Sequence, residues 1–215
     1  VLNGNEDMLE KIVMTQRAKL RIDGHGAGLQ HDQIRGYRVA GIQTDHECIS
    51  ADEALDRVEQ GMYVLIREGS AAKNLQDLLP AVSVQNARRF LYCTDDKHLD
   101  ELVNEGSIDH SIRLSIKAGM EPLQAIQLAT INAAECYGLD GKGALASGFE
   151  ADFVLLNHLE TLEISSVWKK GVQVAHSGEM ITPTASKTDC SNRIRQSVHL
   201  PSLTASDLAI PFSEG

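Results

Sequence analysis

The 215-residue sequence predicts an α/β fold with a parallel sheet, and three observations predict it. Apolar, β-rich runs alternate with helical patterns through the first hundred residues. The runs begin 21 to 26 residues apart, the length of one βα unit, and each intervening segment has the amphipathic periodicity of a helix that covers a sheet. The runs are Leu20–His25, Gly41–His46, Tyr63–Ser70 and Arg89–Asp96, which makes four βα units in succession. Helices are expected over Asp7–Ala18, Gln30–Ala40, Ala51–Gln60 and Lys73–Val82. Ser50 to Glu53 reads as a capping box, in which a Ser oxygen and a Glu carboxylate three residues on satisfy amides that the first helical turn leaves unpaired.

A further helix is expected over Ser107–Lys117. Pro122, at a position that needs no amide donor, opens a long helix Leu123–Tyr137 that Gly138 stops. The texture then changes. Lys142–Asn157 and Leu162–Val174 read as short strands with Gly turns, so a domain boundary is expected near Gly141. The reading is therefore residues 1–140 as βα units, 141–180 as a small β element, and 181–215, rich in Ser, Thr and Pro, as a linker or the start of a further domain.

Composition narrows the chemistry. A formal net charge of -10 without clustered Lys and Arg argues against a nucleic-acid partner, because a phosphate backbone is gripped by concentrated positive charge. No apolar run approaches the roughly 18 residues of a membrane span. Cys48, Cys93, Cys136 and Cys190 are far apart with no CxxC pair, which fits neither a disulfide framework nor a thiolate metal knuckle and implies a reducing cytoplasm. The chain opens at Val1 with no secretory signal, and the expectation is that it begins mid-protein.

In parallel α/β folds functional groups gather at the carboxyl ends of strands, and three of the four runs end in residues suited to a divalent metal: His25, His46 and Asp95. Imidazole and carboxylate suit Zn, Fe and Mn, and ligands from successive strands converge whatever their separation in sequence. One such His alone is more often a hydrogen-bonded structural residue; three in phase favour a metal. Glu47 follows His46 and Asp96 follows Asp95, placed to orient an imidazole or carry a proton, though either is as often a solvated surface group. Arg67, Glu68 and Ser70 end the third run as second-tier substrate contacts, against the alternative of an ordinary surface ion pair. Gly24, Gly26 and Gly28 around His25 lack phosphate-loop spacing and read as a tight turn that presents the His. The remaining histidines, His31, His98, His110, His158, His176 and His199, read as surface or tail residues.

The local strings IDGHGAGL, AGIQTDHE, LIREGSAAKNL, YCTDDKH, ATINAAECYGL, GALASGFEADFVLL and TASDLAIPF, in this order, resemble the bacterial adenine deaminase family of the amidohydrolase superfamily. The resemblance runs over essentially the whole chain. It implies the second half of a (β/α)8 TIM-type barrel over residues 1–140, part of a composite β-sandwich over 141–180, and a linker with the start of a truncated C-terminal domain over 181–215. It implies His25 as the ligand after the fifth strand, His46 after the sixth and Asp95 after the eighth. The centre would be divalent, Mn or Fe ahead of Zn, and binuclear in the intact enzyme. Asp95 and Glu47 would be the catalytic carboxylates, and the reaction hydrolytic deamination of free adenine to hypoxanthine and ammonia, in a cytoplasmic homo-oligomer. The family's HxH pair of the first strand is absent, and its usual proline two residues after the first of these histidines is Ala27. A fragment beginning after the fourth strand is therefore expected, inactive alone and exposing two sheet edges. The rival readings are another amidohydrolase of cyclic amides or amidines, or a non-catalytic chain that needs a complementing polypeptide.

Overall fold

Helix and strand alternate because the hydrophobic period switches between 3.6 and 2 along the chain, and the computed structural model follows those switches over the residues it describes, 1–181, 197 and 199–210. Cys190 and most of the Ser/Thr/Pro-rich tail lie outside the described residues. The order is α1 (Glu6–Arg17), β1 (Asp23–Gly24), α2 (His31–Val39), β2 (Thr44–Asp45), α3 (Ala51–Glu59), β3 (Tyr63–Arg67), α4 (Leu75–Leu78), β4 (Phe90–Cys93), α5 (Leu99–Asn104), α6 (Ile108–Lys117), α7 (Pro122–Ala129), α8 (Ile131–Tyr137), then β5 (Phe153–His158), β6 (Glu163–Lys169), β7 (Val172–His176) and β8 (Glu179–Met180). All of these fall in one unit, Val1–Ile181; a second unit, Thr182–Gly215, contains a 3-10 turn at Ala205–Leu208 among its described residues.

Strands β1 to β4 form a parallel sheet in chain order, with Gly24 paired to Asp45, Asp45 to Val64, and Val64 to Phe90. Side chains of β3 alternate between two buried faces. Val64 and Ile66 join Phe90, Tyr92, Leu75, Leu78, Ile112 and Leu128 under the helices, while Leu65 turns to Leu91 and Cys136. Burial on both faces is why β3 reads as a continuous apolar run. Each fully buried side chain of this kind contributes about 1.5–3 kcal/mol. Burial also pushes the Cys136 thiol up to about 11. Ile12, Ile34, Ile42 and Met62 make a smaller core under α1 and α2.

The Ser50 cap is present, its hydroxyl accepting the Glu53 amide, while the Glu53 carboxylate reaches the Ile49 amide rather than that of Ser50. Gly138 stops α8 in the left-handed conformation, φ 63°. Two expectations are corrected. The helix expected over Lys73–Val82 shortens to Leu75–Leu78 and tightens to a 3-10 turn at Leu79–Ala81, where Pro80 has no amide to continue the ladder. The long helix expected through Tyr137 breaks at Thr130, whose hydroxyl bonds back to Ile126 O at 2.8 Å, so that Asn132 can donate to Ala87 O and Phe90 O, both at 2.8 Å, and pin α8 to the start of β4. Helix α5 was not expected; it forms directly after β4, and its Glu101 faces Ser70 and Lys73.

Strands β5 to β8 form an antiparallel sheet in chain order. Phe153 and Trp168, opposite one another in the register, stack with ring centroids 5.5 Å apart and planes 10° from parallel. Asp152, just before β5, accepts the Lys170 amide and both the Lys142 and Lys169 ammonium groups. Those bonds, the Lys170 amide first, hold its carboxyl well below the ordinary aspartate range.

Candidate metal centre

Strand β1 ends at Gly24 and His25 follows it. Gly24 has no space for a side chain, since a Cβ would lie 2.6 Å from Ile42 Cγ2 and 2.7 Å from the Tyr37 ring. The Tyr37 hydroxyl accepts the His25 amide at 3.1 Å, which fixes the backbone as it leaves the sheet. Strand β2 ends at Asp45 and His46 follows it in the same way, so the shared register carries the two histidines side by side. Their rings meet edge to face with centroids 4.4 Å apart. His46 is buried, whereas the His25 side chain is exposed.

Glu47 Oε1 is the point on which these groups converge. It lies 3.3 Å from His25 Nδ1, 3.5 Å from His46 Nε2 and 3.2 Å from the Arg67 guanidinium. The remaining His46 nitrogen, Nδ1, faces Asp23 Oδ2 at 3.3 Å, and Asp23 in turn accepts the Thr44 hydroxyl. A carboxylate behind a ring nitrogen is the arrangement that orients a metal-bound imidazole. Asp23 was missed in the sequence, although its place two residues before His25 at the end of β1 was a usable signal.

The fit to a divalent cation can be tested on these distances. Ligand atoms of His25, His46 and Glu47 lie within 4.8 Å of one another. Donors about 2.1 Å from a tetrahedral ion stand about 3.4 Å apart, which the two Glu47–imidazole distances match. Two imidazoles and a carboxylate also suit the borderline metals Zn, Fe and Mn. The residues present fit the group. The expected third donor was Asp95; the carboxylate found beside the two imidazoles is Glu47, and Asp95 stands one guanidinium away. Its Oδ2 accepts Arg67 Nη1 at 3.2 Å, the nitrogen that also meets Glu47. Asp95 has φ 45°, a left-handed conformation uncommon outside glycine and concentrated at functional sites.

Arg67 is a nearly buried cation between two carboxylates. Burial, the largest influence, works against its charge, but Glu47 and Asp95 outweigh it and the guanidinium is held above its ordinary value. Asn74 Oδ1 accepts its other donors at 3.2 and 3.1 Å. Arg67 does not pair with Glu68, because neighbours on a strand point to opposite faces. Glu68 is buried, its carboxyl pushed up by that burial and its Oε2 accepting the Leu75 amide at 3.4 Å. Asp96 spends both oxygens on the amides of Ser70 and Ala71, at 3.2 and 2.9 Å. Ser70 Oγ accepts the His98 amide at 2.8 Å and donates to Glu101. Ser70 and Asp96 thus shape the turn after β3. Among the described residues a second group that could hold a metal is His31, the first residue of α2, with Asp56 and Glu59 of α3.

Two further residues escaped the sequence reading, Asp45 and Arg57, both fully buried behind the histidine loops. The signal for Arg57 was its spacing: it follows Ala54 by three residues on the buried stripe of an amphipathic helix, where a cation is out of place unless paired.

A parallel sheet with imidazole and carboxylate groups past its carboxyl ends is the arrangement of a TIM-barrel-type α/β fold, and His25, His46 and Glu47 form a group that could hold a divalent metal. The sequence model of the amidohydrolase family matches residues 3–174, and the chain belongs to that family. It is 60% identical, over all 215 residues, to the adenine deaminase of Lysinibacillus sphaericus, covering 37% of that protein. It is 52% identical over 209 residues to that of Geobacillus kaustophilus, 97% of this chain and 36% of the relative. The chain therefore spans little more than a third of the length of these relatives. Among solved structures, N-acetyl-D-glucosamine-6-phosphate deacetylase from Mycobacterium smegmatis superposes with a TM-score of 0.64 at 20% identity, over 80% of this chain and 53% of that one.

Proposed function

We propose that this chain carries part of the metal site of an adenine deaminase, the reaction being hydrolysis of adenine to hypoxanthine and ammonia. The observation that carries the reading is the convergence of His25, His46 and Glu47, in a sequence 60% identical to an adenine deaminase along its whole length. His25 and His46, with Glu47 beside them and Asp95 across Arg67, are assigned to hold a divalent metal, Mn or Fe ahead of Zn, in a binuclear centre. What such a metal contributes when bound is Lewis acidity, which makes water a nucleophile near neutral pH. The chain's own residues do the rest. Asp95 takes a proton from the attacking water and returns it to the departing amine, so that one water is consumed and one ammonia released. Glu47 acts as a second proton acceptor beside the imidazoles, and Asp23 holds the His46 ring in orientation. Arg67 keeps the two carboxylates at fixed separation. Of the second-tier substrate contacts, Arg67 borders the side assigned to substrate, Ser70 and Asp96 act through the shape of the turn, and Glu68, buried on the opposite face against the Leu75 amide, acts only through the position of that segment.

The same reading makes free adenine the substrate, without nucleic acid or membrane, in a cytoplasmic homo-oligomer. Among the described residues no helix is long and apolar enough to cross a membrane. Residues 1–140 are assigned to the barrel, 141–180 to a composite β-sandwich and 181–215 to a linker with the start of a further domain.

The test is ammonia release from adenine with added Mn or Fe, run on this chain and on a chain of the relatives' full length. Activity in the long chain, lost on His46→Ala, is the expected result. A long chain that leaves adenine untouched but turns over another cyclic amidine or amide would replace the substrate assignment.

A further inference from the structure

We infer that the buried Arg57–Asp45 pair is a latch that sets the spacing between the two loops bearing His25 and His46–Glu47, which makes both residues positioning residues of the metal centre. This rests on the metal reading above. The β1–β2 ladder ends at the Gly24–Asp45 pair, so residues 25–26 and 46–47 lie past the last paired position, where backbone hydrogen bonding no longer fixes their separation. The Asp45 side chain takes over. Its Oδ1 accepts the Gly26 amide at 3.0 Å and the Glu47 amide at 3.1 Å, tying the backbone just after His25 to the backbone just after His46.

Arg57, from α3, closes the ring. Its Nε donates to Asp45 Oδ2 at 3.1 Å and its Nη2 to Gly26 O at 2.8 Å. Its Nη1 meets Asp56 Oδ2 at 3.4 Å, and Asp56 also faces His31. The Arg57 and Asp45 side chains are 1% and 0% exposed. A Cβ on Gly26 would lie 2.4 Å from Asp45 Oδ2, so the loop approaches the carboxylate as closely as glycine allows. A buried ion pair is a poor means of stabilisation, since well-packed apolar residues of similar volume do as well or better. What this pair provides that an apolar pair cannot is three directed bonds to the backbone that flanks the ligands.

The test separates positioning from general stability. In Asp45→Asn and Arg57→Met, hydrogen exchange at the Gly26 and Glu47 amides, resolved by NMR, is expected to rise at least tenfold relative to Val64, Ile66 and Leu91. Co2+ affinity, followed by its visible absorption, is expected to fall about 10–100-fold, the usual effect of losing a supporting partner. The double variant Asp45→Asn/Arg57→Met removes both buried charges, so its thermal midpoint recovers part of the loss while exchange and Co2+ affinity stay impaired. Asp45→Asn, isosteric and still an acceptor, carries the test if Arg57→Met does not fold. Uniform acceleration at all five amides, no change at Gly26 and Glu47, or Co2+ affinity that recovers together with the midpoint would overturn the latch. A chain of the relatives' full length that binds no Co2+ defeats the metal reading instead, and the exchange pattern still decides the latch.

Discussion

The two sheets use charge in opposite ways. The parallel sheet β1–β4 buries Asp45, Arg57, Arg67 and His46 at its carboxyl end, each tied to named partners. The antiparallel sheet β5–β8 keeps its charges nearer the surface, where Lys142 and Lys169 share the half-buried Asp152. Exposed pairs of that kind are screened and worth little, whereas buried ones are costly to leave unpaired. The difference teaches where geometry is being specified: ionic groups are taken out of water where backbone and ligands must be held, and left in water where only solubility and local order are served.

The sharpest break of this contrast is chemical. Asp95→Asn in a chain of the relatives' length should lower kcat for adenine by about 10²–10⁴-fold, the range for a lost general base, with little change in thermal midpoint. A fall in midpoint in step with activity would make Asp95 a structural residue and remove the distinction between the two sheets. Next in size is packing. Phe90→Ala, at a fully buried position of β4, should cost about 3–5 kcal/mol in denaturant unfolding. A value below about 1 kcal/mol would mean the half-sheet is loosely packed.

Asn132→Ala tests the pin between α8 and β4. Two carbonyls lose their donor, and the expected cost is about 1–3 kcal/mol, with faster exchange confined to α8. The smallest effect belongs to the antiparallel sheet. Because the folded Asp152 carboxyl is held below its ordinary value of about 3.9, its contribution is fully present above that pH and is lost as pH falls through the depressed folded value. Asp152→Asn should therefore lower the midpoint slightly at neutral pH, with the difference from the unsubstituted chain closing as pH falls through the acid limb, read from Trp168 fluorescence. A large neutral effect would show that this sheet also relies on its charges.

What the sequence disclosed follows from the range of the interactions. The four βα units, the Ser50 cap and the Gly138 stop are local, set by residues within a turn of one another, and all are found. The placement of His25, His46 and Asp95 past strand ends was legible because strand period and strand end are visible in one run. The break at Thr130 was not, since its cause is an Asn132 side chain reaching carbonyls 42 and 45 residues away. That Glu47 lies beside the imidazoles while Asp95 meets Arg67 was hidden for the same reason: Arg67, 28 residues before Asp95, bonds both carboxylates. Arg57 was read past because an arginine on an amphipathic helix normally faces water.

Helix α8 carries one more consequence. Cys136 is fully buried against Leu65 and Leu91, with its thiol pushed up to about 11. The thiolate is the form that reacts, so burial protects this sulfur twice, by disfavouring its charged form and by closing off access. An alkylating reagent at this sulfur therefore measures how often α8 lifts from the sheet. The rate of its modification is a clock for a single local opening, and Asn132→Ala should make that clock run fast.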